Sequence, residues 1–270
     1  MKRPLRVGLV VEGNSTRSAI LRLPKLPQFI GPVKATSPRV ARRLSNFLRA
    51  GYVAHDYEEL AAAGLVLIRI PDESVPRTVA ELAVSDLPFK HLSFVLCESW
   101  LSVDSLSQLS QRGAAVATMT SLPGRRGWFL IEGDLPAVRP VRHLLESNNS
   151  RAIEIRPGTK SLCFAAGILA AALPMPLYLA AQDALRHAGV SGNNLNTILD
   201  EMSQTLFREF AKGARAAWGG PLTEASGAIS ADHLLRLETI NPQLAVTLDA
   251  YLRLAKQTFV RQRSPRKVPA

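Results

Sequence analysis

A change of rhythm near residue 158 constrains this chain more than any other feature. Before it, eight short apolar runs alternate with stretches of helical periodicity. The runs are RVGLVV (6–11), FIGPVKA (29–35), YVAHD (52–56), LVLIRI (65–70), LSFVLC (92–97), AAVATM (114–119), WFLIEGD (128–134) and AIEIR (152–156). Helical patterns lie between them at 37–51, 57–64, 71–83, 102–111 and 136–147. Runs this rich in Val, Ile and Leu suit strands buried on both faces, and strands separated by helices form βαβ units. The expected fold class is therefore α/β with a mostly parallel sheet. Ser37 is placed to cap the 37–51 helix, Pro38 suits its first turn and Gly51 can end it. Pro32 marks the second run as lying towards a sheet edge.

After Pro157-Gly158 no strand signal remains. Residues 160–188, 193–213, 230–236 and 241–257 read as helix, interrupted at Gly219-Gly220-Pro221 and Asn241-Pro242. The expected organisation is an α/β domain over 1–157, an all-helical domain over 158–258 and a basic, disordered tail over 259–270. Residues 162–181 carry no charge for the length of a membrane span. They are rich in Ala rather than Leu and contain Pro174 and Pro176, so they are read as a central helix at a homodimer interface rather than a span.

Composition narrows the function classes. Hydrophobic residues make up 47% of the 270 and charged residues 20%, which excludes general disorder. Two cysteines exclude a disulfide framework and a four-cysteine metal site, and no histidine or carboxylate spacing suggests a metal. The apolar run after Met1 is too short for a signal peptide, which points to a cytoplasmic protein with two free thiols. The net charge is +11, and it is concentrated. Residues 1–43 hold ten basic residues and one acid, Glu12, while Arg261, Arg263, Arg266 and Lys267 make the tail basic. Such patches serve phosphorylated small molecules, anionic membranes or nucleic acid. Aromatic residues are 6% and no recognition motif accompanies the charge, which argues against nucleic acid.

The segments RVGLVVEGN, TSPRVARRL, YEEL, LVLIRIPDESV, WFLIEGD, IRPGTKSLCFAAGILAAAL and GGPLTEASGAISADHLLRL follow one another over residues 5–258. In that order they resemble the Rossmann-like proteins with a C-terminal domain of unknown function 2520. These are distant relatives of pyrroline-5-carboxylate reductase and other NADP-dependent oxidoreductases of the 6-phosphogluconate dehydrogenase superfamily. The resemblance implies an N-terminal Rossmann-like domain, a helical dimerisation domain, and a site between them at the carboxyl ends of the strands. It places Ile70-Pro71-Asp72 beside the cofactor, with Cys97-Glu98 at a strand end facing the same edge.

The chain departs from that pattern at its most chemical positions. Val11-Glu12-Gly13-Asn14-Ser15-Thr16 stands where G-x-G-x-x-G or G-x-G-x-x-A is expected, keeping only the middle glycine. Gly13, Asn14, Ser15 and Thr16 offer a turn and polar groups at an expected helix N-terminus, which either bind phosphate or only turn the chain. Between Glu12 and Asp56 there is no acid to take a ribose 2′-hydroxyl; Thr36, Ser37 and Arg39 follow the second strand instead. Hydroxyls and a guanidinium suit a 2′-phosphate, so any dinucleotide is expected to be NADP rather than NAD. Arg42 and Arg43 read as a solvated helix face. At the implied reaction centre only Lys160 is retained, with Thr120, Phe164 and Ala172 at the other positions. Lys160 is either a proton donor with a lowered pKa or a surface lysine. Cys97 is more simply a buried structural thiol than a nucleophile. The expectation is an NADP-dependent oxidoreductase of unknown substrate with a weak or absent catalytic centre; the alternative is a non-catalytic protein that binds a ligand or a partner.

Overall fold

The computed structural model describes residues 5–13, 18–122, 126–212 and 227–263. The chain forms two compact units, Met1–Leu169 and Ala170–Ala270.

The first unit is built on one eight-stranded sheet in the order β3-β2-β1-β4-β5-β6-β7-β8. The strands are β1 (Val7–Val11), β2 (Ile30–Ala35), β3 (Tyr52–Val53), β4 (Leu65–Arg69), β5 (Ser93–Cys97), β6 (Ala115–Ser121), β7 (Trp128–Gly133) and β8 (Arg151–Glu154). All neighbours run parallel except β6 and β7. The physical reason is length: a parallel neighbour needs a crossover of a dozen or more residues, and only 122–127 separate this pair. Beyond β2 lies only the two-residue β3, so Pro32 removes one amide from a nearly terminal part of the sheet.

Helices α1 (Pro38–Leu48), α2 (Val75–Val84), α3 (Ser107–Gln111) and α4 (Leu135–Ser147) cover the sheet. Alternation along each strand divides the core in two. Leu9, Val11, Leu65 and Leu67 join α1 and α4 on one face, while Val10, Val66 and Ile68 join α2 and α3 on the other. Ser37 caps α1, its hydroxyl accepting from Val40 N–H at 3.3 Å, and Arg49 in the left-handed region ends it, two residues before Gly51.

The connection from β1 to β2 corrects an expectation. Among its described residues there is no α-helix, only two three-residue 3-10 turns, Ile20–Arg22 and Leu26–Gln28. Pro24 and Pro27 lack the amide hydrogens that a helical ladder needs. Leu21, Leu23 and Leu26 still reach the core, so this segment covers the sheet face without a helix dipole.

Helix α5 (Lys160–Gly167) belongs to the first unit and continues through a π-helical stretch, Ile168–Ala172, towards α6 (Pro174–His187). Residues Lys160–His187 are long and apolar enough, by length and composition, to cross a membrane. In the second unit α6 packs on α7 (Asn193–Lys212), and α8 (Gly227–Ile240) on α9 (Pro242–Arg263). Helix α9 runs to Arg263, into the segment expected to be disordered, and 264–270 lie outside the described residues. Of the described side chains in this unit only Leu195 and Ala245 are buried.

Candidate functional site

In an open parallel sheet the ligand site lies beyond the carboxyl ends of the strands, where the strand order reverses. Here that point is between β1 and β4. A cavity of about 330 Å³ opens there, over the ends of β1, β2 and β4. Thr36 and Ile70, both expected from the sequence, line it, together with Glu12, Lys34, Arg77 and Glu81.

The charges in this cavity are paired. Arg77 Nη2 donates to both Glu12 carboxylate oxygens at 3.2 Å, so the one acid of the basic first 43 residues is neutralised from α2. Tyr57 Oη donates to Glu81 at 2.9 Å, and burial beside that carboxylate pushes the phenol well above its ordinary range. Lys34 stands over the Tyr57 ring, 5.3 Å from its centre. The cavity therefore presents two cations and two carboxylates, with the Thr36 hydroxyl at its exposed side.

Beyond β4 the edge is occupied by the protein itself. Glu98, directly after β5, has a φ of 57°, a left-handed conformation rare for a side chain of this size. Its Oε1 accepts from Ser18 Oγ at 2.9 Å and from Ile20 N–H at 3.1 Å, and its Oε2 accepts from Arg69 Nε at 2.8 Å. The side chain is 13% exposed. Glu98 was expected beside a cofactor; it is instead spent on tying β4, β5 and the β1–β2 connection together.

A second buried cluster lies under residues 101–103. Lys160 is 1% exposed, and its Nζ donates to Leu101 C=O at 3.0 Å and Thr118 Oγ1 at 2.8 Å. The Thr118 hydroxyl faces Glu132 Oε1 at 3.4 Å, which also accepts from Val103 N–H at 3.0 Å. Glu132 is buried, and its second oxygen has no partner among the described residues. Burial lowers the Lys160 ammonium to about 8, against the pull of Glu132, Cys97 and Asp72. Lys160 is thus a buried lysine rather than a surface one, with its amine hydrogen-bonded to Leu101 and Thr118.

The other candidates separate. Gly13 has a φ of 71°, so it makes the turn after β1, and a Cβ there would meet nothing within 4 Å. Asn14, Ser15 and Thr16 lie outside the described residues. Ser37 is an α1 cap, and Arg39 is exposed on that helix away from the cavity lining. Pro71 opens a 3-10 turn that begins at the exposed Asp72, and neither lines the cavity. Cys97 is wholly buried in the core, where desolvation pushes its thiol up, so it lines nothing. Arg77, Arg69, Thr118 and Glu132 escaped sequence reading. Only Glu132 left a signal, as an acid inside the strand run WFLIEGD.

These residues fit part of a dinucleotide. Over β1, β2 and β4 there is a hydroxyl, a cation and space of a size at the lower end of ligand sites, about 300–1,000 Å³. A pyrophosphate would need free donors on the β1–β2 connection, and those of Ser18 and Ile20 are taken by Glu98. Among the described residues, the donors that a whole dinucleotide would meet on this connection are therefore already committed. Among the described residues no group of three or more His, Cys, Asp or Glu could hold a metal ion.

Sheet, switch point and helical unit together define a class, the Rossmann-like fold shared by NADP-type oxidoreductases. Within it, residues 127–258 match the family model described as Domain of unknown function (DUF2520). Similar solved structures include protein TM1727 from Thermotoga maritima, at 18% identity and a TM-score of 0.65, covering 95% of this chain and 100% of that one. A pyrroline-5-carboxylate reductase from Coxiella burnetii is 11% identical with a TM-score of 0.57, over 94% and 98%. A reductive aminase from Aspergillus terreus, solved with NADPH and ethyl-5-oxohexanoate, is 14% identical with a TM-score of 0.64, over 94% of each chain. At such identities the likeness is one of fold. No curated protein matches the chain.

Proposed function

We propose that this chain is a Rossmann-like nucleotide-binding protein, built on the architecture of NADP-dependent oxidoreductases, that takes the adenosine-phosphate end of its ligand and lacks an efficient hydride-transfer centre. The observation that carries this reading is the cavity at the β1–β4 switch point, with Thr36 and Arg77 on its wall. Arg77 offers a phosphate the guanidinium N–H groups that its pairing with Glu12 leaves over, and Thr36 offers a partner to a ribose hydroxyl. The reductive aminase of similar fold was solved with NADPH, and the lack of any acid between Glu12 and Asp56 keeps NADP the dinucleotide expected. Reductase activity is the second reading, supported by Lys160, whose lowered pKa suits proton transfer near neutrality. Its Nζ, however, is buried and committed to Leu101 and Thr118.

The helical unit completes the proposal. Leu173, just before α6, is exposed, as are Met175, Leu179, Phe207, Phe210, Leu235 and Val246 on four helices that bury only two of their described residues. Apolar surface of this extent marks an interface, and a second copy of the chain supplies the same helices in return. The working form is thus a homodimer, placed in the cytoplasm with its thiols reduced.

Titration calorimetry with AMP, NADPH and NADH tests the reading. AMP is expected to bind, and Thr36→Val with Arg77→Gln to weaken it by about tenfold or more. No heat with any of the three, or rapid reduction of imines by NADPH, would overturn it.

A further inference from the structure

The Glu98 contacts form an arrangement that a bound anion would have. A hydroxyl from Ser18, the backbone N–H of Ile20 and the Nε–H of Arg69 converge on one carboxylate at 2.8–3.1 Å. They come from two separate parts of the chain, the β1–β2 connection and the end of β4, and meet where the sheet order reverses. The carboxylate reaches them from a third part through a backbone conformation that a glutamate rarely adopts. The Glu98 N–H holds that conformation by donating to Met119 C=O at 2.6 Å. Charge-assisted donors gathered on a nearly enclosed anion are the ingredients of a phosphate site.

We infer that Ser18, Ile20 N–H and Arg69 form a phosphate-type anion site whose resident is the protein's own Glu98, and that this carboxylate keeps a pyrophosphate off the sheet edge. The inference rests on the nucleotide-binding reading only for its meaning, because the site itself is set by the four residues. Among the described residues it accounts for a Rossmann edge with space for an adenosine phosphate on one side of the switch point and a carboxylate seated on the donors of the other. The class of ligand excluded is a diphosphate bridge; the class admitted is a mononucleotide.

The test removes the resident. Glu98→Gly suits the backbone angle and vacates the donors, and Glu98→Gln keeps the shape without the charge. Thermal unfolding of the full chain is followed with inorganic pyrophosphate, against sodium chloride of equal ionic strength. Pyrophosphate is expected to raise the unfolding temperature of Glu98→Gly but not of wild type, and Arg69→Gln added to Glu98→Gly to abolish the gain. Calorimetry on Glu98→Gln is expected to show NADPH binding at least about tenfold tighter than to wild type. It decides the matter if Glu98→Gly does not fold. Equal stabilisation of wild type and Glu98→Gly by pyrophosphate, or no NADPH gain in Glu98→Gln, would overturn the inference. AMP binding to wild type separates the two claims. If it is present without the Glu98 effects, only the anion site fails; if it is absent while they appear, only the assignment of the β1–β4 cavity to an adenosine phosphate fails.

Discussion

Lys160 Nζ donates to Thr118 Oγ1 at 2.8 Å, joining the first residue of α5 to the middle of β6 with both groups buried. The bond makes the stability of the sheet unit depend on pH. The ammonium is held at about 8, whereas an unfolded lysine titrates near 10.5. Between those values the unfolded chain binds more protons than the folded one, so Lys160 adds stability as pH rises, by up to about 1.4 kcal/mol per pH unit. Below 8 both states are charged and the contribution is flat. Cys97 and Tyr57, raised in the folded state, act oppositely above about 9 and 10. Subtracting the unfolding profile of Lys160→Met from that of wild type cancels them. The difference is expected to rise between pH 8 and 10, and a flat difference would contradict the assignment. In Glu132→Gln the rise should begin at lower pH, because the carboxylate that favours the charged amine is gone.

Gly133, next to the buried Glu132, lets β7 approach β6 closely. A Cβ there would lie 2.3 Å from Val116 O and 2.4 Å from Ala117 Cα, at a φ of 139°. Gly133→Ala is expected to cost more than about 3 kcal/mol in denaturant unfolding. A cost below about 1 kcal/mol would show that the strands can part without loss.

Under the proposed function, Thr36 and Arg77 rather than the α1 residues hold the nucleotide. Arg39→Ala should leave AMP affinity within about twofold, since Arg39 stands outside the cavity. Ser37→Ala should cost about 1 kcal/mol of stability through the lost α1 cap and little affinity. Affinity lost with Arg39 and kept without Arg77 would reverse these roles.

For the helical unit, Leu173→Arg places a charge on a half-exposed apolar position of the helix assigned to the dimer contact. Light scattering at micromolar concentration is expected to give a dimer for wild type and a monomer or aggregate for the variant. A monomeric wild type would remove the second copy from the account.

The fold was legible where periodicity alone decides it. All eight strand runs pair as strands, because continuous Val, Ile and Leu leave a buried sheet few alternatives. The DUF2520 resemblance was legible in the order of its segments. The segment after β1 was not, because the two prolines that prevent a helix sit among leucines that still enter the core. The site was legible only in part. Thr36 and Ile70 lie at strand ends, which a sequence marks. Arg77 is brought to Glu12, and Arg69 to Glu98, by the strand order β1-β4-β5, and no local pattern encodes either pairing. Lys160 read as either donor or surface residue because burial on α5 depends on Leu101 and Thr118, far away in sequence.

In the proposed arrangement an adenosine phosphate sits over the ends of β1, β2 and β4 while Glu98 occupies the neighbouring donors. Amide hydrogen exchange of the full chain, with and without saturating AMP, tests it most directly. Added protection is expected at residues 10–12, 34–36 and 77–81, with 18–22 and 97–101 unchanged. Protection of 18–22 and 97–101, with none at 34–36 or 77–81, would contradict it.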